Sequence, residues 1–69
     1  MSESRLPAIE HVLQFFRYDH LPNHLQLVSI PFADLAHDLA NNTNNEETVV
    51  ALRKLLEAKD AAVRAHLVS

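Results

Sequence analysis

The chain has 69 residues, carries a formal net charge of −3 and contains neither cysteine nor glycine. Disulfides and thiolate metal sites are therefore excluded, as are the P-loop, the dinucleotide fingerprint and the nucleophile elbow, which all require glycine. The 48% hydrophobic content is too high for a disordered segment, yet no apolar run reaches the roughly 20 residues that span a bilayer. We expect one soluble cytoplasmic domain over residues 1–69, stabilised by helix packing, by oligomerisation or by both.

The first helix is predicted from roughly Pro7 to Arg17. Proline suits the first turn of a helix, where its missing N–H is not needed. Four apolar residues then recur at helical spacing and form one face: Ile9, Val12, Leu13 and Phe16. A helix this short is unstable alone, so its apolar face must pack on the rest of the chain. Residues 18–22 are predicted to form a turn, because Pro22 disfavours helical geometry at Leu21.

The second helix is predicted from roughly Pro22 to Ala40. Its apolar residues alternate three and four positions apart, which predicts the seam of an antiparallel helical hairpin. The seam residues are Leu25, Val28, Phe32, Leu35 and Leu39. Pro31 lies within this pattern and should kink the helix, but the pattern continues past it, so we expect one helix rather than two.

A polar tract, Asn41–Asn45, predicts a loop before a third helix from roughly Glu46 to His66. Asn44 and Glu47 have the spacing of a capping box. Two adjacent stripes of this helix are apolar: Val49, Leu52, Leu56 and Val63, then Leu55, Ala58, Ala62 and Ala65. One hairpin partner covers only one stripe, so the second stripe predicts self-association. The predicted fold is all-α, with a short N-terminal helix followed by an antiparallel helical hairpin, assembled as a homo-oligomer.

Residues able to carry chemistry give little support for a metal site or for catalysis. His20 and His24 have the i, i+4 spacing of a metal-binding pair, but a proline lies between them and no third ligand is evident. Asp34, His37 and Asp38 share a helical face, yet no serine or cysteine nucleophile accompanies them, which favours a solvated polar face. We expect no metal, no cofactor and no enzymatic activity.

Aromatic and basic residues cluster where the first helix ends. Phe16 belongs to the apolar face, so Phe15 and Tyr18 point elsewhere, and at least one should be exposed or lie at a subunit interface. Aromatic rings stack on nucleobases, and arginine binds phosphate. Packing against a neighbouring subunit is the alternative, and the residue pattern alone favours it.

The third helix carries four cations: Arg53, Lys54, Lys59 and Arg64. They can supply phosphate contacts for a small anionic ligand. The alternative is an ordinary solvated face, on which Asp60 and Arg64 form an i, i+4 ion pair.

Two parts of the sequence resemble the hairpin domain of phage anti-defence proteins known as cyclic-nucleotide sponges. They are HLPNHLQ at 20–26 with PFADLA at 31–36, and TVVALRKLLEAKDAAVRA at 48–65. The resemblance extends from about Phe15 to Leu67. Members of the family are helical and commonly hexameric. They bind cyclic dinucleotides, cyclic trinucleotides or cyclic ADP-ribose isomers between subunits without cleaving them, and so counter CBASS and Thoeris immunity.

The resemblance implies a sponge that acts in the cytoplasm of an infected bacterium. The ligand-binding residues that it implies are Phe16, Tyr18, His24, Arg53, Lys59 and Arg64. One departure is Ile30, where relatives often have a lysine, so this chain is expected to bind a different messenger or to bind more weakly.

Three other functions compete with the sponge. A helical protein–protein interaction module would need no basic surface at the subunit interface. A regulator that binds DNA or RNA polymers is disfavoured by the acidic net charge, and nothing in the sequence indicates a membrane partner. An enzyme that degrades the same messengers would need an acid–base pair or a metal cluster, and neither is evident.

Overall fold

The computed structural model describes residues 4–68. Its helices are α1 (Pro7–Leu13), which continues as a 3₁₀ turn over Gln14–Phe16, α2 (Asn23–Asn42) and α3 (Glu46–Val68). No strand occurs within residues 4–68. The all-helical class is confirmed, and each helix boundary lies within two residues of the predicted one when the 3₁₀ turn is counted with α1. None of the helices in this range combines the length and the apolar composition that crossing a bilayer requires.

Two prolines determine where α1 and α2 begin. Leu6, just before Pro7, has an extended backbone (φ −58°, ψ 140°), as a residue preceding proline should, and its carbonyl accepts the first amides of α1. Pro22 is also extended (φ −58°, ψ 154°), and its carbonyl accepts the N–H groups of Leu25 and Gln26. The N–H of Leu21 donates to the carbonyl of Tyr18 at 3.0 Å, which closes the turn between the two helices.

The second helix runs without interruption through Pro31, so the prediction of a single helix is confirmed. Its buried face, however, differs from the predicted seam. The buried residues of α2 are Leu25, Ser29, Ala33, Ala36 and Ala40. Of the predicted seam, Leu25 is buried, Val28, Phe32 and Leu39 are half-buried, and Leu35 is 47% exposed.

The seam prediction was therefore wrong for Leu35, whereas Phe32 and Leu39 pack against the core without being fully buried, and packing geometry explains the difference. At about 100° per residue, the predicted seam lies roughly a quarter turn around α2 from the observed buried face. Small side chains at Ala33, Ala36 and Ala40 let neighbouring helices approach α2 closely. The larger apolar residues consequently flank the contact instead of filling it.

All three helices contribute to one hydrophobic core. Its buried residues are Ile9, Val12, Leu13, Phe16, Ala33, Ala36, Ala40 and Leu52. Beyond Leu56, α3 adds no residue to this core or to the layer packed around it. We call α1, its 3₁₀ turn and residues 33–56 the three-helix end, and residues 23–32 with 57–68 the two-helix end.

The connection between α2 and α3 is held by asparagine side chains. The Oδ1 of Asn45 accepts the N–H of Thr48 at 3.0 Å, and the Oγ1 of Thr48 accepts the N–H of Asn45 at 3.2 Å. This reciprocal cap lies one residue later than the predicted pair of Asn44 and Glu47. Asn44 instead binds the N-terminal segment: its Oδ1 accepts the N–H of Leu6 at 2.9 Å and its Nδ2 donates to the carbonyl of Ser4 at 3.0 Å.

Candidate functional site

A groove between α1 and α3 is the strongest candidate for a ligand site. It consists of two adjoining clefts of about 330 and 460 Å³, and both are lined by Ala8 and Arg53. Other apolar side chains line the groove: Leu6, Val12, Phe15, Val49, Val50 and Leu56. A guanidinium group lies where the two clefts meet, and three carboxylates, of Glu46, Glu57 and Asp60, also line the groove.

An aromatic pair lies on the α1 side of this groove. The rings of His11 and Phe15, one helical turn apart, meet edge to face with centroids 5.4 Å apart and an interplanar angle of 79°. The Nε2 of Gln14 lies 3.1 Å from the Nδ1 of His11, which helps to hold the imidazole in place. Phe15 is 49% exposed, so part of its ring remains open to a planar ligand.

The side chain of Arg53 has no hydrogen bond or ion pair within residues 4–68. Glu57 follows it by one turn and also lines the groove, but the two side chains form no ion pair. The Asp60 carboxylate is held by the Lys59 ammonium at 3.1 Å. The Arg53 guanidinium therefore keeps its five N–H donors available for an anionic group.

A second cleft, the Tyr18 cleft, lies where the 3₁₀ turn meets α2. Its volume is about 330 Å³, and its lining residues are Phe16, Arg17, Tyr18, Asp19, Ala33, Asp34 and His37. The Nη2 of Arg17 lies 3.8 Å from the Oδ2 of Asp19, and both side chains are largely exposed, so this ion pair is weak. Two carboxylates and one guanidinium line this cleft, a net acidic lining like that of the α1–α3 groove.

The structure does not gather the six predicted ligand residues in one place. Phe16 is 1% exposed, and its ring belongs to the core, so in the single chain it offers no face to a ligand. Tyr18 is half-buried in its own cleft, and Arg53 lies in the α1–α3 groove. His24 and Arg64 are exposed and line none of these clefts.

Lys59 differs from the other predicted phosphate ligands, because its side chain is only 12% exposed. Its neighbours three and four positions away on α3 are all half-buried: Leu55, Leu56, Ala62 and Val63. The Lys59 stem therefore packs along the inner side of α3, with its ammonium group on Asp60. The predicted pair of Asp60 with Arg64 was wrong, and Arg64 has no ion pair within the described range.

Sequence reasoning missed His11 and undervalued Phe15. The signal was present, since i, i+4 spacing on α1 brings two side chains together on the side away from the apolar face. The sequence alone does not show how α1 docks on α3, and this docking brings the His11–Phe15 pair beside Arg53. For the predicted histidine pair, the structure places His20 in the turn and His24 on α2, and residues 4–68 contain no group of three or more metal-binding side chains.

Comparison with protein-family models, with curated proteins and with solved structures finds no match to this chain. What it binds must therefore be inferred from its own residues.

Proposed function

We propose that this protein is a non-enzymatic sponge, which assembles as a homo-oligomer and sequesters cyclic oligonucleotides or cyclic ADP-ribose isomers between its subunits. The observation that carries the proposal is the unpaired Arg53 beside the His11–Phe15 ring pair, in a groove whose lining is mostly apolar and includes three carboxylates. Nucleobases stack on aromatic rings, and a guanidinium group binds a phosphate through paired N–H donors. A cyclic nucleotide presents both groups in one small molecule.

The size of the groove supports binding between copies. Its clefts of about 330 and 460 Å³ lie at the low end of the roughly 300–1,000 Å³ found for small-ligand pockets. A cyclic di- or trinucleotide has two or three bases, whereas the groove supplies one aromatic pair and one guanidinium group. The remaining base and phosphate groups would need a second copy, as in the family that the sequence resembles.

The two sequence blocks at 20–36 and 48–65 support the same assignment. They make the α2–α3 pair a candidate for the antiparallel hairpin of the phage sponges, and they favour the hexamer common among those proteins. A sponge needs no catalytic group, because holding a messenger away from the host effector is sufficient to block CBASS or Thoeris signalling.

Native mass spectrometry of the chain, mixed with a panel of cyclic dinucleotides, cyclic trinucleotides and cyclic ADP-ribose isomers, tests this proposal. We expect an oligomer that carries the messenger at its full mass, and the same intact messenger after the protein is denatured. An oligomer that stays empty across the panel would contradict the proposal. Recovery of linear products would identify an enzyme instead.

Arg53 and Lys54 form a matched pair for locating the site. Both are exposed cations without an ion pair in the described range, but only Arg53 lines the groove. Arg53→Ala should weaken messenger binding about tenfold to a hundredfold, the cost of a lost charge-assisted contact, while Lys54→Ala should change it less than about threefold. Equal effects of the two substitutions, measured by calorimetry, would show that the groove is not the site.

A protein–protein interaction module without a small ligand is the second candidate. The exposed apolar side chains of Leu27 (73%) and Leu35 (47%) on α2 favour it, because they lie outside the α1–α3 groove. For such a module, Phe15→Ala and Arg53→Ala would leave assembly unchanged, and no messenger of the panel would bind.

A further inference from the structure

The outer face of α2 combines leucines and carboxylates. Five residues at helical spacing form it, and all are exposed: Leu27, Pro31, Asp34, Leu35 and Asp38. They lie on the far side of α2 from its buried residues. The carboxylates of Asp34 and Asp38 form no ion pair or hydrogen bond within residues 4–68. A surface of exposed leucines beside unpaired carboxylates is complementary to an apolar partner with a positive charge.

The last two turns of α3, residues 61–68, have the complementary composition. Arg64 is exposed and unpaired, and it is flanked on the same side by the small side chains of Ala61 and Ala65. Val68 continues this side and is 87% exposed. These residues follow the part of α3 that α1 and the core cover. This segment therefore presents one available guanidinium on a slender, weakly apolar helix surface.

We infer that the outer face of α2 is a docking site for the last two turns of α3 of a second copy of this chain. Asp34 and Asp38 are one turn apart, about 6 Å along the helix, so both carboxylates can reach one guanidinium fork. Leu27 and Leu35 then lie on either side of the charged contact. The alanines beside Arg64 of the second copy leave room for these two leucine side chains.

Charge decides between the occupants that this face could receive. Two unpaired carboxylates repel the phosphates of a nucleic acid, which excludes DNA and RNA. The two carboxylates favour a partner with an exposed cation, and the chain itself supplies one in Arg64, which lies between the small side chains of Ala61 and Ala65. A second copy is therefore the partner that the sequence already encodes.

The inference rests on the homo-oligomer of the proposed function and defines how its copies meet. The outer face of α2 and the Arg64 side of α3 both point away from the buried residues of their helices. One copy therefore cannot meet a single partner through both surfaces, and the contact is heterologous. Heterologous contacts continue from copy to copy until a ring closes, so the assembly should contain more than two copies even without ligand.

Charge reversal tests the contact, with native mass spectrometry and sedimentation velocity as readouts. Asp38→Arg and Arg64→Asp should each weaken assembly about tenfold or more, because like charges then face each other across the contact. The double variant should restore assembly to within about threefold. An equimolar mixture of the two single variants should also assemble, since each repaired contact then joins one copy of each kind.

Glu47→Arg and Lys54→Asp are the controls for the same changes of charge. Both residues are exposed on α3 and lie outside the two proposed surfaces. Neither control should change the oligomer, and circular dichroism should show native helicity in all variants.

Three results would overturn the inference. They are a monomeric unmodified chain, single reversals that leave the oligomer intact, and single reversals that dissociate it without rescue in the double variant or the mixture. An oligomer that binds a cyclic nucleotide but ignores every reversal would overturn this contact and leave the sponge proposal standing. If the double variant restores assembly but no cyclic nucleotide of the panel binds, this contact would be supported and the sponge proposal contradicted.

Discussion

The three-helix end and the two-helix end share the same two long helices but bury different chemistry. At the three-helix end the interior is mainly apolar, with Ile9, Ala36 and Leu52 fully buried, and the buried hydroxyl of Thr48 is hydrogen-bonded. At the two-helix end the buried groups include the Ser29 hydroxyl, which has no hydrogen-bond partner within residues 4–68, and most of the Lys59 side chain. The difference follows from α1, which supplies the apolar side chains that close the core over one end only.

Folding stability and association depend on different residues of the molecule. The end covered by α1 holds the apolar contacts that drive folding. The uncovered end leaves Leu27, Leu67 and Val68 in water, and such residues remain available for a partner. Substitutions of the residues buried at the first end should therefore change the free energy of unfolding, whereas substitutions of exposed residues such as Asp38 and Arg64 should mainly change assembly.

The largest effect is expected from two adjacent phenylalanines at the three-helix end. Phe16→Ala should cost about 3–5 kcal/mol, because it opens a cavity in the core. A chain of this size has only about 3–10 kcal/mol of stability in total, so the cooperative transition should be nearly lost. Phe15→Ala should cost less than about 1 kcal/mol, because half of that side chain is already in water.

Urea unfolding followed by far-UV circular dichroism measures both variants. The protein concentration must be held constant, since oligomerisation shifts the apparent stability. Similar losses for Phe15→Ala and Phe16→Ala would contradict the burial that distinguishes the two rings.

A matched pair on α2 contrasts the two ends directly. Ser29→Ala should leave stability unchanged or raise it by up to about 1 kcal/mol, because the buried hydroxyl has no partner to lose. Ala33→Ser introduces the same hydroxyl one turn later, at the three-helix end, and should cost about 1–3 kcal/mol. A marked loss for Ser29→Ala in the urea experiment would show that its hydroxyl is bonded in solution.

The smallest effect concerns the cap at the start of α3. Asn45→Ala removes the acceptor of the Thr48 N–H and should cost about 1 kcal/mol. Asn42→Ala is the control, since this exposed side chain makes no hydrogen bond in the described range, and it should change stability by less than about 0.5 kcal/mol. Thermal unfolding of the two variants side by side provides the measurement, and equal midpoints would contradict the assigned cap.

Most of the helical layout was predictable because local chemistry determines it. Pro7 and Pro22 mark helix starts, the asparagine tract breaks the apolar pattern, and the spacing of the remaining apolar residues is helical throughout. The buried side of α2 was not predictable in the same way. The apolar pattern gives more weight to large side chains than to Ala33, Ala36 and Ala40. Helices that approach closely, however, need small residues at the contact.

The cap of α3 and the candidate site could not be predicted fully either, because both depend on contacts between distant parts of the chain. Either Asn44 or Asn45 could cap α3, and the choice depends on the N-terminal segment about 40 residues away, which engages Asn44. The sequence placed Phe16 in the core and predicted that Phe15 or Tyr18 would be exposed. It could not show that Phe15 lies beside Arg53, because that depends on how α1 docks on α3.

The hydrogen bond from the Leu6 N–H to the Asn44 side chain makes the exchange of this amide sensitive to tertiary structure. The Leu6 N–H precedes α1, and its acceptor is the Asn44 side chain, 38 residues away. In deuterated solvent this amide can exchange only when the lead-in to α1 separates from the α2–α3 connection. Its exchange rate therefore reports whether α1 stays docked, without any label added to the chain, and it can be compared before and after a cyclic nucleotide is added.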